Sequence, residues 1–154
     1  MDLFPKSEGV TQAFSWDLPF EDNSFDGVLF SHVVEHIPVL PDNLLVKKTF
    51  REFHRVLKDG GELVVITPHI STMKQKFWDD PTHIRPYTMQ SIRSLGDKTK
   101  FRVRVQVTSL RYLRGLPFLF YKLNQLGLWY TLSKHLSKIL PFGYKENIFI
   151  LDKI

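Results

Sequence analysis

Two apolar runs flank one amphipathic stretch in the first half of the chain, and this pattern predicts a βαβ unit. Residues 25–32 (FDGVLFSH) are apolar at odd and even positions, as in a parallel strand covered on both faces. Residues 62–67 (ELVVIT) repeat the pattern, and Pro68 closes the run. Between them Leu45, Val46, Phe50, Phe53, Val56 and Leu57 recur at helical spacing, with Lys47, Lys48, Arg51 and Arg55 mostly off that stripe. Asp42 is the expected N-cap, and Gly60-Gly61 the expected helix stop. Strand, helix and strand in that order imply parallel pairing through a right-handed crossover.

The flanking segments extend the unit. Residues 10–16 read as a strand, and the loop PFEDNS follows at 19–24. Residues 69–87 show no clear period. A short helix is expected at 88–95, ended by Gly96. Residues 101–108 (FRVRVQVT) alternate apolar and polar, as in a half-exposed strand, and 148–152 form a last strand. Between those two strands, residues 109–146 carry two helical leucine patterns bounded by Pro117 and Pro141. They read as a helical cap, or as a lid over an apolar ligand or a surface resting on a membrane.

A chain of 154 residues with 43% apolar residues and 13 Phe suits one domain with a real core. Cys is absent, which excludes disulfide and thiolate chemistry and fits the reducing cytoplasm. No apolar run approaches the roughly 18 residues that a membrane-spanning helix needs. The opening MDLFPKSEG, with two acids and a Pro, does not read as a signal peptide. Charge divides the chain. Residues 1–80 carry 8 Lys/Arg and 13 Asp/Glu, whereas residues 81–154 carry 13 and 3. The basic half suits an anionic small molecule or a weak contact with anionic lipid, or is simply a solvated face. Nucleic acid is disfavoured, because no recognition motif accompanies the charge.

An ordered set of short motifs adds chemistry. The chain has Asp17-Leu18-Pro19-Phe20, then Asp22, Ser24-Phe25-Asp26, Glu35-His36, and Arg55-Val56-Leu57-Lys58-Asp59-Gly60-Gly61. In order and spacing this set resembles the class I S-adenosylmethionine-dependent methyltransferases, with Asp59 where Pro is usual. Asp2-Leu3-Phe4-Pro5 resembles the end of that family's second strand. The resemblance implies an α/β, Rossmann-like fold with sheet order 3-2-1-4-5-7-6 and an antiparallel last strand. On it, residues 10–16, 25–32, 62–67, 101–108 and 148–152 are strands 3 to 7, with a helical insertion between strands 6 and 7. Strand 1, its Gly-rich turn and most of strand 2 have no counterpart, so the resemblance is to a single truncated domain over residues 1–154. That predicts an exposed sheet edge able to pair with a second copy or a complementing chain.

The resemblance also implies roles. S-adenosylmethionine is the expected cofactor, when the fold is completed. Asp2 is placed at its ribose, Asp17 and the Leu18 amide at its adenine, and Ser31 and His32 at its methionine part. Asp17 also reads as a turn cap, and His32 as a packed strand-end histidine. His36 is a candidate base, or with Glu35 a structural cap of the next segment. The run Asp79-Asp80-Pro81-Thr82-His83-Ile84-Arg85-Pro86-Tyr87-Thr88 recurs in a subset of the family. It places His83, Arg85 and Tyr87 against a small-molecule, sugar or lipid-like acceptor; alternatively Asp80 and His83 lock the loop. No metal is expected, since the histidines are scattered without HxxxH or HxH spacing.

Overall fold

The structure, a computed structural model, describes residues 8–109 and 146–154. Its main elements are β1 (Phe25–Ser31), α1 (Leu44–Val56), β2 (Leu57–Pro68), a short α2 (Ile70–Met73), α3 (Met89–Lys98), β3 (Phe101–Ser109) and β4 (Glu146–Lys153). The four strands form one sheet in the order β1-β2-β4-β3. β1 and β2 are parallel, and β4 runs antiparallel to both of its neighbours. This is the expected 4-5-7-6 portion of the family order, with the last strand reversed. The cap predicted at 109–146 lies almost wholly outside the described residues.

α1 packs its apolar stripe on one face of the sheet: Val46, Phe50, Phe53 and Val56 are buried against Phe30, Leu63 and Val65 in one core. Ile92 and Leu95 of α3 and Phe149 and Leu151 of β4 complete that core. The opposite face is more open, with Leu29 67% exposed and its partner Val64 half-buried. The prediction that β1 is buried on both faces is therefore corrected. Described helices cover one face only, and among the described residues β1 has a strand neighbour on one side only.

Three local expectations also change. Residues 10–16 form no continuous strand: Gln12 and Phe14 make only isolated bridges, and that of Phe14 with Asp17 closes a turn. Asp42 does not cap α1. It has a left-handed backbone (φ 59°) and pairs with Lys47, while Asn43 occupies the cap position. α1 ends at Val56, and Gly60-Gly61 lies within β2. There the register jumps from Phe25↔Leu57 to Gly27↔Glu62, and Gly60 takes a φ of 76° in the bulge.

Gly96 sits inside α3 rather than ending it. A Cβ there would stand 2.8 Å from the Phe101 carbonyl oxygen, so only glycine lets α3 approach the start of β3 so closely. Gly96→Ala is expected to cost about 1–3 kcal/mol, measured by urea unfolding.

Candidate functional site

The carboxyl end of β1 builds the site. The His32 amide donates to Ile66 O (2.8 Å), which carries the parallel pairing one residue past β1. His32 then turns left-handed (φ 53°) and the chain leaves the sheet through a single 3₁₀ turn, Val34–His36. Val34 and Glu35 are both fully buried in that turn. Glu35 Oε2 accepts from Thr67 Oγ1 (3.2 Å), whereas the buried Oε1 has no hydrogen-bond partner. Its neighbour is His32 Nδ1 at 3.5 Å, and His32 Nε2 stands 3.6 Å from Glu146 Oε1.

The loop from β2 to α3 closes over this turn. The backbone amides of Ile84 and Arg85 donate to the Glu35 carbonyl (2.8 and 3.3 Å). Asp80 Oδ1 accepts from the Thr82 amide (2.9 Å) and hydroxyl (2.6 Å), and these bonds hold its carboxyl below the usual range. His36 Nδ1 lies 3.1 Å from Thr82 O and 2.9 Å from Thr82 Oγ1. His83 Nδ1 lies 2.6 Å from Phe77 O, and its ring stacks on Phe77 at 4.4 Å. A carbonyl only accepts, so both histidines donate through Nδ1, and in the neutral ring the lone pair is then on Nε2. The two rings stand 4.8 Å apart.

The loop is thus locked, and Asp80 and His83 share in it through the backbone: the His83 amide donates to Asp80 O (3.1 Å). Their side chains stay 3.8 Å apart, and Thr82, His36 and Phe77 supply the side-chain bonds. The expectation of scattered histidines is also corrected. His36 and His83, 47 residues apart in sequence, meet beside Glu35, whose buried carboxylate sequence reasoning treated only as a cap. No local signal marks it: its partner Thr67 lies on another strand, 32 residues away.

Arg85 and Tyr87 face a different cleft from His83. Arg85 donates to Asn43 Oδ1 (2.8 Å), and its guanidinium lies 5.6 Å from the centre of the Tyr87 ring. Tyr87 is 3% exposed and belongs to the core, where burial pushes its hydroxyl pKa up. The two line a cleft of about 80 Å³ between α1 and α3, together with Lys47, Ser91 and Lys98. The loop therefore sends its predicted acceptor residues two ways.

On the cofactor side the fit is partial. Asp17 is exposed at its turn, with its amide bonded to Phe14 O (3.1 Å). The Leu18 amide, expected at adenine, is bonded instead to Glu52 Oε2 (2.9 Å), and the Leu18 side chain is buried in the core. Ser31 and His32 end β1 as expected. Asp2 lies outside the described residues. Among the described glycines (9, 27, 60, 61 and 96) no two share a turn that opens a helix. The described residues fit the strand-4 side of such a cofactor and not its Gly-turn side.

Comparisons with known proteins agree with this architecture. A family model described as a methyltransferase domain matches residues 5–65. An uncharacterised protein of Methanocaldococcus jannaschii is 28% identical over 139 residues, covering 89% of this chain and 57% of that protein. Malonyl-[acyl-carrier protein] O-methyltransferase 1 of Coxiella burnetii is 32% identical over 116 residues, covering 71% of this chain and 39% of that protein. The crystal structure of a SAM-dependent methyltransferase from Archaeoglobus fulgidus superposes with a TM-score of 0.59 at 21% identity, covering 93% of this chain and 66% of that one. The chain thus spans about half the length of the curated relatives it matches. Residues 5–65 thus match a methyltransferase domain, and the 4-5-7-6 sheet order and the structural likeness give the chain the fold of the class I S-adenosylmethionine-dependent methyltransferases.

Proposed function

We propose that this chain carries the acceptor-facing part of a methyl-transfer site acting on a small-molecule acceptor. The observation that carries the reading is the gathering of Ser31, His32, Glu35 and His36 at the carboxyl end of β1, closed by the loop that bears His83. Ligands of open α/β folds bind outside the carboxyl ends of the parallel strands. S-adenosylmethionine, when bound, supplies an electrophilic methyl group. The task left to the protein is to position the acceptor and receive any proton it loses. The half-buried His36, with its Nδ1 proton fixed on Thr82, offers an Nε2 lone pair for that purpose. The cationic cleft at Lys47, Arg85 and Lys98 suits an acidic or phosphorylated part of the acceptor.

Isothermal calorimetry with S-adenosylmethionine, and S-adenosylhomocysteine as the control, tests the reading. Saturable binding of both is the expected result. A folded sample that binds neither, alone or with a chain supplying the glycine turn, would refute it.

A second reading rests on the edge of β1 that meets no strand among the described residues; Leu29 of that strand is exposed. A strand from a second copy or a complementing chain would pair there. Light scattering is expected to show a concentration-dependent rise in mass; a monomer throughout would refute this reading.

A further inference from the structure

We infer that Glu35, His36 and His83 form a binding site for a divalent transition-metal ion, with Zn²⁺ or Co²⁺ as suitable occupants. One donor atom from each residue lies within 4.8 Å of the others. Metal–ligand bonds of about 2.0–2.2 Å require donors roughly 3–4 Å apart. The three side chains would therefore draw together by about 1 Å.

Three independent features support the assignment. First, Glu35 Oε1 is fully buried and has no hydrogen-bond partner, although Oε2 is satisfied by Thr67. A buried carboxylate oxygen left without a partner is costly, and a cation removes that cost. His32 Nδ1, 3.5 Å away, is too distant to serve as a full hydrogen bond. Second, each histidine donates its Nδ1 proton to a backbone carbonyl, Thr82 O for His36 and Phe77 O for His83. That arrangement fixes ring orientation and leaves Nε2 as the basic atom, as in metal-ligating histidines generally. Third, Glu35 is buried whereas His36 and His83 are partly exposed, so the remaining coordination positions open toward solvent. Asp80 Oδ2, 3.8 Å from His83 Nε2, adds negative charge at that rim.

The donor set decides the class of ion. Two imidazoles and one carboxylate suit Zn²⁺, Co²⁺, Ni²⁺ or Fe²⁺ better than Mg²⁺ or Ca²⁺, which take oxygen ligands. Three protein ligands with open positions make a site that can accept oxygen atoms of a further ligand. The site goes beyond the methyl-transfer reading and does not depend on it, because metal binding is measured without S-adenosylmethionine; with the ion bound, His36 Nε2 is a ligand and no longer a base.

The test uses the full chain stripped with chelator. Co²⁺ is titrated with visible absorption as the readout, and Zn²⁺ by calorimetry. One ion per chain is expected, with excess Mg²⁺ failing to displace it. Glu35→Gln, His36→Gln and His83→Gln should each weaken binding at least tenfold. His54→Gln, outside the cluster, should leave it unchanged. Circular dichroism checks folding; if His83→Gln unfolds, the more exposed His36 decides. Absence of saturable binding, displacement by Mg²⁺, or equal weakening by His54→Gln and His36→Gln would overturn the assignment.

Discussion

Phe53→Ala is expected to lower the unfolding free energy by about 3–5 kcal/mol, the range for removing a fully buried aromatic side chain. Phe53 is 1% exposed, and its ring meets Phe30 edge-on at 4.8 Å and lies 6.1 Å from Phe50. Phe30 is the only buried residue of β1, so this contact is where α1 holds the strand that carries the site. The cavity would combine lost transfer energy with lost dispersion, because α1 is fixed at both ends and cannot collapse fully into the gap. Small domains have about 5–15 kcal/mol in total, so the variant would lose a large share of its stability. Urea denaturation followed by circular dichroism measures the loss. Leu29→Ala, on the open face of the same strand, serves as the comparison and should change stability by less than about 0.5 kcal/mol. A loss below roughly 1.5 kcal/mol for Phe53→Ala would show that α1 and β1 are not packed as described.

The next largest effect is expected at Arg55, for an electrostatic reason. Its guanidinium donates to Phe20 O (2.7 Å), Leu18 O (3.0 Å), Asp22 Oδ1 (2.8 Å) and both oxygens of Glu52. It thereby ties the 17–22 segment to α1 and raises its own pKa further. Glu52 in turn accepts the Leu18 amide, and Arg55 holds its carboxyl below the usual value of 4.5. Arg55→Ala should cost about 2–3 kcal/mol, less than a fully buried pair because both side chains are partly exposed. The pH dependence has a definite sign. The folded-state pKa of Glu52 is lowered, so its contribution is complete above about pH 4.5 and is lost as pH falls through the folded value. Thermal melts between pH 7 and pH 3 should therefore converge for the wild type and Arg55→Ala as acid removes the pairing. A gap that stays constant to pH 3 would mean that the backbone contacts of Arg55, not Glu52, carry the effect.

Much of this was legible in the sequence because it depends on local periodicity. The apolar stripe of α1 and the apolar runs of β1 and β2 each reflect neighbours three, four or two residues apart. So does the Thr88/Ser91 capping box that opens α3, within one residue of the expected start. The motif set pointed to the carboxyl end of β1 as the candidate site. The misread segments depend on non-local partners. Residues 10–16 have strand-like composition but form only isolated bridges, at Gln12 and Phe14. Gly60-Gly61 resembles a helix stop, yet it fills a bulge defined by register with β1.

The candidate site shows the same division. Sequence placed Glu35-His36 after a strand and His83 in a polar loop, with the residue types needed for acid–base or ligand chemistry. It did not show that the loop folds back so that Thr82 bonds His36, or that Phe77 orients His83. Nor did it show that Arg85 and Tyr87 turn away from His83 toward Asn43. Sequence by itself determined the βαβ unit and the likeness to a methyltransferase domain, because these follow from short-range pattern and motif order. Only the tertiary structure decided that one oxygen of Glu35 is buried without a hydrogen-bond partner beside two histidines that donate through Nδ1, because burial and the bonds Thr67–Glu35 and Thr82–His36, across 32 and 46 residues, are properties of the packed chain.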